Sequence, residues 1–266
     1  MKLNRLSPGS CLLILLLRSF SVYAQEPQPA PEKYLVKRTS IPLKIDGKPE
    51  SAWGNAPWSA SFVDIEGDKK PAPTFNTRIK MLYDDQFLYI FAEMEEPHLW
   101  GTLTNRDAII FRDNDFEVFL DPNNDQLQYF EYEINALGTV MDLFMPKPYK
   151  KGGKADLSWN SGGLQSAVLL DGTLNDNSDT DKGWTVELAI PFKDMERPGR
   201  VHQPKPGDQW HINFSRVQWT MDKEGSGYVK RKGSNGKNLP ESNWVWSPQG
   251  VINMHVPEKW GVVTFE

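Results

Sequence analysis

Apolar and polar residues alternate with a period of two over most of the chain, the pattern of half-buried strands. In Asp115–Asp121 the side chains of Phe116, Val118 and Leu120 point one way and those of Asp115, Glu117 and Phe119 the other. Residues 129–136 repeat the scheme, with Phe130, Tyr132 and Ile134 opposite Glu131, Glu133 and Asn135. The turn-forming run Asp121-Pro-Asn-Asn-Asp125 between them predicts a hairpin. Residues 78–82 and 87–92 flank Tyr83-Asp-Asp-Gln86 and predict another, whose second arm is apolar on both faces and belongs inside a covered sheet. Further strands are expected at 165–170, 184–190, 210–219, 243–246 and 262–265, and no window of twelve or more residues carries a helical stripe. The expected fold is all-β: one domain, an antiparallel two-sheet β-sandwich of jelly-roll or immunoglobulin-like type.

The N-terminus departs from this pattern. Lys2 and Arg5 precede the apolar run 11–17, and Val22-Tyr-Ala24 then offers small residues at the positions a signal peptidase reads. The run is too short to span a bilayer and Arg18 closes it. We therefore expect a signal peptide over residues 1–24, cleaved after Ala24, and a secreted or periplasmic protein without membrane insertion. Three prolines alternate in residues 25–33, which favours extended chain, so a Pro-rich tether is expected over 25–39 and the domain over 40–266. The single cysteine, Cys11, lies in the apolar run. The domain thus has no disulfide framework and no cysteine-based metal site.

Charge narrows the partners. The formal net charge of the chain is −5, and removal of Lys2, Arg5 and Arg18 with the signal leaves 27 basic against 35 acidic residues, or −8. Nucleic-acid backbones require a basic stripe, which this chain lacks. The local basic cluster between Lys147 and Lys154 lies among glycine and proline and reads as solvation.

The chemistry-bearing residues favour recognition over catalysis. His98, His202, His211 and His255 have no metal-ligand spacing, and the nucleophile-elbow, phosphate-loop and dinucleotide motifs are absent. Carboxylates leave glycoside hydrolysis as the alternative, with Asp115, Glu117 and Glu133 as candidates, since alternate residues on a strand face stand about 6–7 Å apart. Against this, alternating acids on the solvent side of a sheet follow from binary patterning alone. Asp113-Asn-Asp115 and the run 175–181 gather hard oxygen donors, which suits Ca²⁺, although for either cluster a polar turn is the favoured reading. Aromatic residues make up 12% of the chain, with ten Trp. Trp184, Trp210 and Trp260 are expected in the core, whereas Trp244 and Trp246 share a face in a loop-rich segment and suit either packing or stacking on a sugar.

The order of motifs resembles a family 9 carbohydrate-binding module. The segments that carry the likeness begin with Ile45-Asp-Gly-Lys-Pro-Glu-Ser-Ala-Trp53, Ala56-Pro-Trp58 and Leu82-Tyr-Asp-Asp-Gln-Phe-Leu-Tyr-Ile90. They continue with Asp115–Asp121, Tyr132-Glu-Ile-Asn135, Trp184-Thr-Val-Glu-Leu-Ala-Ile-Pro191 and the stretch 246–265. The resemblance implies a calcium-containing β-sandwich that clamps a sugar between two tryptophans. By position, Trp246 matches one clamp ring, Glu117 the carboxylate that accepts from sugar hydroxyls, and Asn135 a polar contact beside it.

Phe111 stands where the second clamp tryptophan is expected, Glu133 where the family has Arg and Ser215 where it has Gln. Trp100 is the alternative second ring and Arg216 an outer contact. Asp46 and Glu50 match the family's early acidic motif, where calcium or an N-terminal turn is equally expected; with Asp113 and Asp115 of the oxygen-rich cluster they are the calcium-ligand candidates. The resulting expectation is a secreted, non-catalytic protein that recognises glucan, xylan or another plant or host glycan. It would support polysaccharide breakdown by separately encoded enzymes at the cell surface.

Overall fold

The computed structural model describes residues 30–197 and 203–266; the expected signal peptide lies outside them. The alternation resolves into β1 (Lys33–Arg38), β2 (Val63–Asp64), β3 (Thr77–Tyr83), β4 (Phe87–Glu95), β5 (Asp115–Asp121), β6 (Tyr129–Asn135) and β7 (Val140–Met145). It continues through β8 (Gln165–Asp171), β9 (Gly183–Pro191), β10 (Gln209–Gln218), β11 (Met221–Glu224), β12 (Gly227–Lys230), β13 (Ser242–Val245) and β14 (Gly261–Phe265). Among the described residues the only helical pieces are short 3-10 turns, and no helix is long and apolar enough to cross a membrane.

Two layers result, as the all-β sandwich expectation requires. The larger sheet runs β7-β6-β5-β10-β14-β1, with β13 beside β10 and β2 beside β13; the smaller runs β3-β4-β9-β8. Both predicted hairpins form, β3 with β4 and β5 with β6. The strand β1 belongs to both layers: residues 33–36 pair in parallel with β14 and residues 37–38 in parallel with β3. This corrects the tether expected over 25–39 at residues 33–38, which form a strand; residues 25–29 lie outside those described. Tyr34 and Val36 alternate with exposed neighbours and are buried, so the domain begins at β1, before residue 40.

Between the layers lies the main core. The larger sheet contributes Phe116, Val118, Leu120, Phe130, Ile134, Ile212 and Phe214, and the smaller contributes Ile79, Met81, Leu88, Ile90, Val186 and Leu188. Trp184 and Trp210 are buried there, as expected. The register that turns these residues inward turns Asp115, Glu117, Glu131 and Glu133 outward on β5 and β6.

That outer face is not solvated, contrary to the reading of its acids as ordinary surface. A second cluster covers part of it: Ile110 from the turn Ile110–Arg112, with Phe119, Tyr129, Met141, Leu143, Val245, Met254 and Trp260. Loops from distant parts of the sequence wall in the acids, leaving a cavity above the middle of the sheet.

Candidate ligand-binding site

Register fixes the floor of this cavity. Glu117 on β5 stands opposite Glu133 on β6 and opposite Ser215 on β10, while Glu131 follows on the same face of β6. Like charges directly across a strand pair repel, and no lysine or arginine relieves them in an ion pair among the described residues. The cavity holds ≈ 360 Å³ and is lined by Glu117, Glu131, Glu133, Glu241, Asn243 and His255, with Phe111 and Tyr149 among its apolar walls. Phe111 and Tyr149 are 42% and 48% exposed, so both rings retain free surface at its rim.

Burial dominates the electrostatics. It raises the carboxyl groups of Asp115, Glu117 and Glu133 well above the usual range, and neighbouring acids add to this, Glu117 and Glu133 at Asp115, Glu133 at Glu117 and Glu131 at Glu133; the Ser215 hydroxyl partly offsets the rise at Glu117. Glu131 is pushed up to about 8, first by burial and then by Glu117. His255 goes the other way, lowered to about 4 by burial, and its neutral ring meets Tyr129 Oη at 2.9 Å through Nδ1. Burial therefore favours the protonated form of these carboxyls more than an exposed surface would. A floor of such carboxyls can both donate to and accept from hydroxyl groups.

Phe111 and Glu117 line this cavity, whereas Asp115 is fully buried on the same sheet face beside Glu117 and does not line it. The other sequence-derived contacts lie elsewhere. Trp246 is a core ring, 2% exposed, set edge-on to Tyr34 at 6.4 Å and near Phe214 at 5.8 Å. Its six-membered ring covers Gly261, where a Cβ would sit only 2.2 Å from Trp246 Cζ3. The spacing from Trp246 to Gly261 thus belongs to packing, not to a sugar platform. Trp100 is likewise buried, at 5% exposure.

Arg216 and Asn135 are also structural. The Arg216 guanidinium points to the inter-layer side, where it donates to Glu96 (3.1 Å), Thr77 (3.0 Å) and Gln218 (2.9 Å). Asn135 Nδ2 donates to Leu103 O and Asp113 Oδ2, and its Oδ1 accepts from the Leu137 and Thr139 N–H groups, which spends it on the β6–β7 turn.

Three of the four calcium ligands expected from sequence fit poorly. Asp113 accepts from the N–H groups of Thr102 and Leu103, from Thr102 Oγ1 and from Asn135, as a loop clamp. Asp46 pairs with Lys44 at 2.9 Å, and Glu50 accepts from the Lys44 N–H. None of the three joins a cluster of potential ligands among the described residues. The oxygen-rich run 175–181 is a polar turn in which Asp181 accepts from the N–H groups of Leu99 and Thr173.

Sequence reasoning missed Tyr149, Glu241, Asn243 and His255 as cavity residues, because they arrive on separate loops and strands with no shared spacing. Glu131 was visible in the alternation, but nothing local marked its face as enclosed.

The chain matches the family model for carbohydrate family 9 binding domain-like proteins over residues 45–265. The chain belongs to this family. Among solved structures, a family 9 module from Caldicellulosiruptor kristjanssonii in complex with glucose superposes with a TM-score of 0.56 at 17% identity, covering 88% of this chain and 96% of that one. A candidate carbohydrate-binding protein from Bacteroides uniformis superposes with a TM-score of 0.63 at 14% identity, covering 89% of this chain and all of that one (100%). Endo-1,4-beta-xylanase A of Thermoanaerobacterium saccharolyticum is 30% identical over 149 residues, 56% of this chain. The family 9 domain described here spans only 11% of that enzyme's length.

Proposed function

We propose that this family 9 domain binds carbohydrate in the cavity over β5, β6 and β10, without cleaving it, and that it acts outside the cytoplasm in polysaccharide breakdown. The observation that carries the reading is the cavity itself: a floor of buried carboxyls beneath half-exposed rings of Phe111 and Tyr149. A sugar ring presents apolar C–H faces and a rim of hydroxyls, which such rings and carboxyls complement. The glucose-bound family 9 module supports a β-glucan or related glycan as ligand, and the leader-like N-terminus supports export.

Recognition is favoured over hydrolysis by the placing of the acids. Asp115, Glu117 and Glu133 bring oxygens within 4.8 Å of one another on one sheet face. Glycosidase acids flank the scissile bond from either side, whereas these three stand together on one face.

Calorimetric titration with cello- and xylo-oligosaccharides tests the reading. Saturable binding without release of reducing sugar is expected, and it should weaken in Phe111→Ala and Glu117→Gln. Absence of binding across both series and a wider glycan panel would sink it. Trp246→Ala should instead lower stability by about 3–5 kcal/mol, as the loss of a core ring does.

A further inference from the structure

The floor of the cavity has more acceptor oxygen than the protein has donors. Asp115, Glu117 and Glu133 are 0%, 5% and 3% exposed, and each places an oxygen within 4.8 Å of the other two. Asp115 Oδ1 accepts from the Val217 N–H at 3.3 Å and Glu133 Oε2 from the Phe111 N–H at 3.1 Å. Asp115 Oδ2 and Glu117 Oε2 have no partner.

A separate group points to the same spot. Ser215 is fully buried, stands opposite Glu117 in the β5–β10 register and so faces the same side. Its Oγ lies close enough to soften the Glu117 carboxyl's upward shift, yet it has no partner in hydrogen-bonding geometry.

Protons or a cation can neutralise such a cluster. Protons would discharge the carboxyls one at a time. A hard cation would use all four groups together. Calcium takes six to eight oxygens at about 2.3–2.6 Å, so two oxygens on one ion lie no more than about 5 Å apart. The three carboxyls meet that limit, and the set offers oxygen donors only, which also disfavours the softer transition metals.

We propose that Asp115, Glu117, Glu133 and Ser215 Oγ form a Ca²⁺ site in the cavity floor, whose remaining coordination positions take vicinal hydroxyls of the bound glycan. The second half rests on the carbohydrate reading above; the first half does not.

The test is calorimetric titration of CaCl₂ into chelator-treated wild type, Glu133→Gln and Ser215→Ala, followed by titration with cello-oligosaccharide in Ca²⁺ and in chelator. Wild type should take one ion per chain, with at least tenfold weaker binding in Glu133→Gln and several-fold weaker binding in Ser215→Ala. Because the carboxyls must give up their protons, ion uptake should release protons, read as a heat that varies with the ionisation enthalpy of the buffer. Ca²⁺ should raise the melting midpoint of wild type but not of Glu133→Gln. The variant without Ca²⁺ should melt no lower than wild type, which excludes misfolding as the cause.

A wild type that binds none of Ca²⁺, Mg²⁺ and Mn²⁺ overturns the site, as does ion binding unchanged in Glu133→Gln. Equal sugar affinity in Ca²⁺ and in chelator overturns the hydroxyl half alone. An ion that binds to a protein with no sugar affinity overturns the carbohydrate reading and leaves the ion site standing.

Discussion

The outer faces of the two sheets each bury glutamate, in opposite circumstances. On the smaller sheet, Glu187 of β9 is fully buried and accepts three hydrogen bonds, from the Asp46 N–H (3.0 Å), the Gly47 N–H (2.9 Å) and Trp53 Nε1 (2.9 Å). On the larger sheet, Glu117 is almost as buried, faces Glu133, and keeps an oxygen without a partner. Both carboxyls are raised by burial, but hydrogen bonds oppose the rise at Glu187 while a second acid reinforces it at Glu117. The same residue type thus serves as a staple in one place and as an under-bonded acid facing a cavity in the other. What separates them is the supply of donors, not depth.

Removing each acid should expose the difference. Glu187→Ala strands three donors and should cost about 3 kcal/mol or more, read as a lower urea midpoint with unchanged slope. Glu133→Gln keeps an acceptor for the Phe111 N–H and removes a repelling charge, so without divalent ions its stability should stay within about 1 kcal/mol of wild type or exceed it. A large loss in Glu133→Gln, or none in Glu187→Ala, would erase the contrast.

Titration sharpens it further. Glu131, raised to about 8 from an ordinary value of 4.5, binds its proton more tightly in the folded than in the unfolded chain. Its contribution to stability is therefore complete below the unfolded value and is lost as pH rises through the folded one. In chelator, the melting midpoint should fall between pH 5 and 8 by roughly several degrees, and Glu131→Gln should flatten that fall. A midpoint that rose over this window would contradict the electrostatics described for the floor. The smallest effect is at the rim. Phe111→Ala should weaken glycan binding by about 1 kcal/mol, roughly fivefold, and leave stability within about 0.5 kcal/mol.

The two predicted hairpins were legible because the arms of one alternate and those of the other carry an apolar run, with turns rich in Asp and Asn between them. The strand β1 was not, since the prolines before it read as extended linker while its own alternation spans only Tyr34 and Val36. Period two assigned Glu117 and Glu133 to one face correctly. It could not show that this face is enclosed, because the walls come from residues near 110, 149, 241 and 255. The opposite error befell Trp246. A tryptophan in a loop-rich segment suits a platform or a core equally well, and only the ring's position over Gly261 decides between them.

The crossing strand β1 also constrains how the domain can be made. Its register ties Lys33 to Val262 and Val36 to Phe265, so the first strand of the sandwich waits for the last. Hairpins such as β3–β4 and β5–β6 can form from neighbouring sequence as the chain emerges, but the seam that joins the layers closes only once residue 265 is available. A chain lacking β14 would leave β1 without its longer pairing and expose one edge of β10 to other molecules. Such a fragment would be an aggregating intermediate rather than a smaller binding protein.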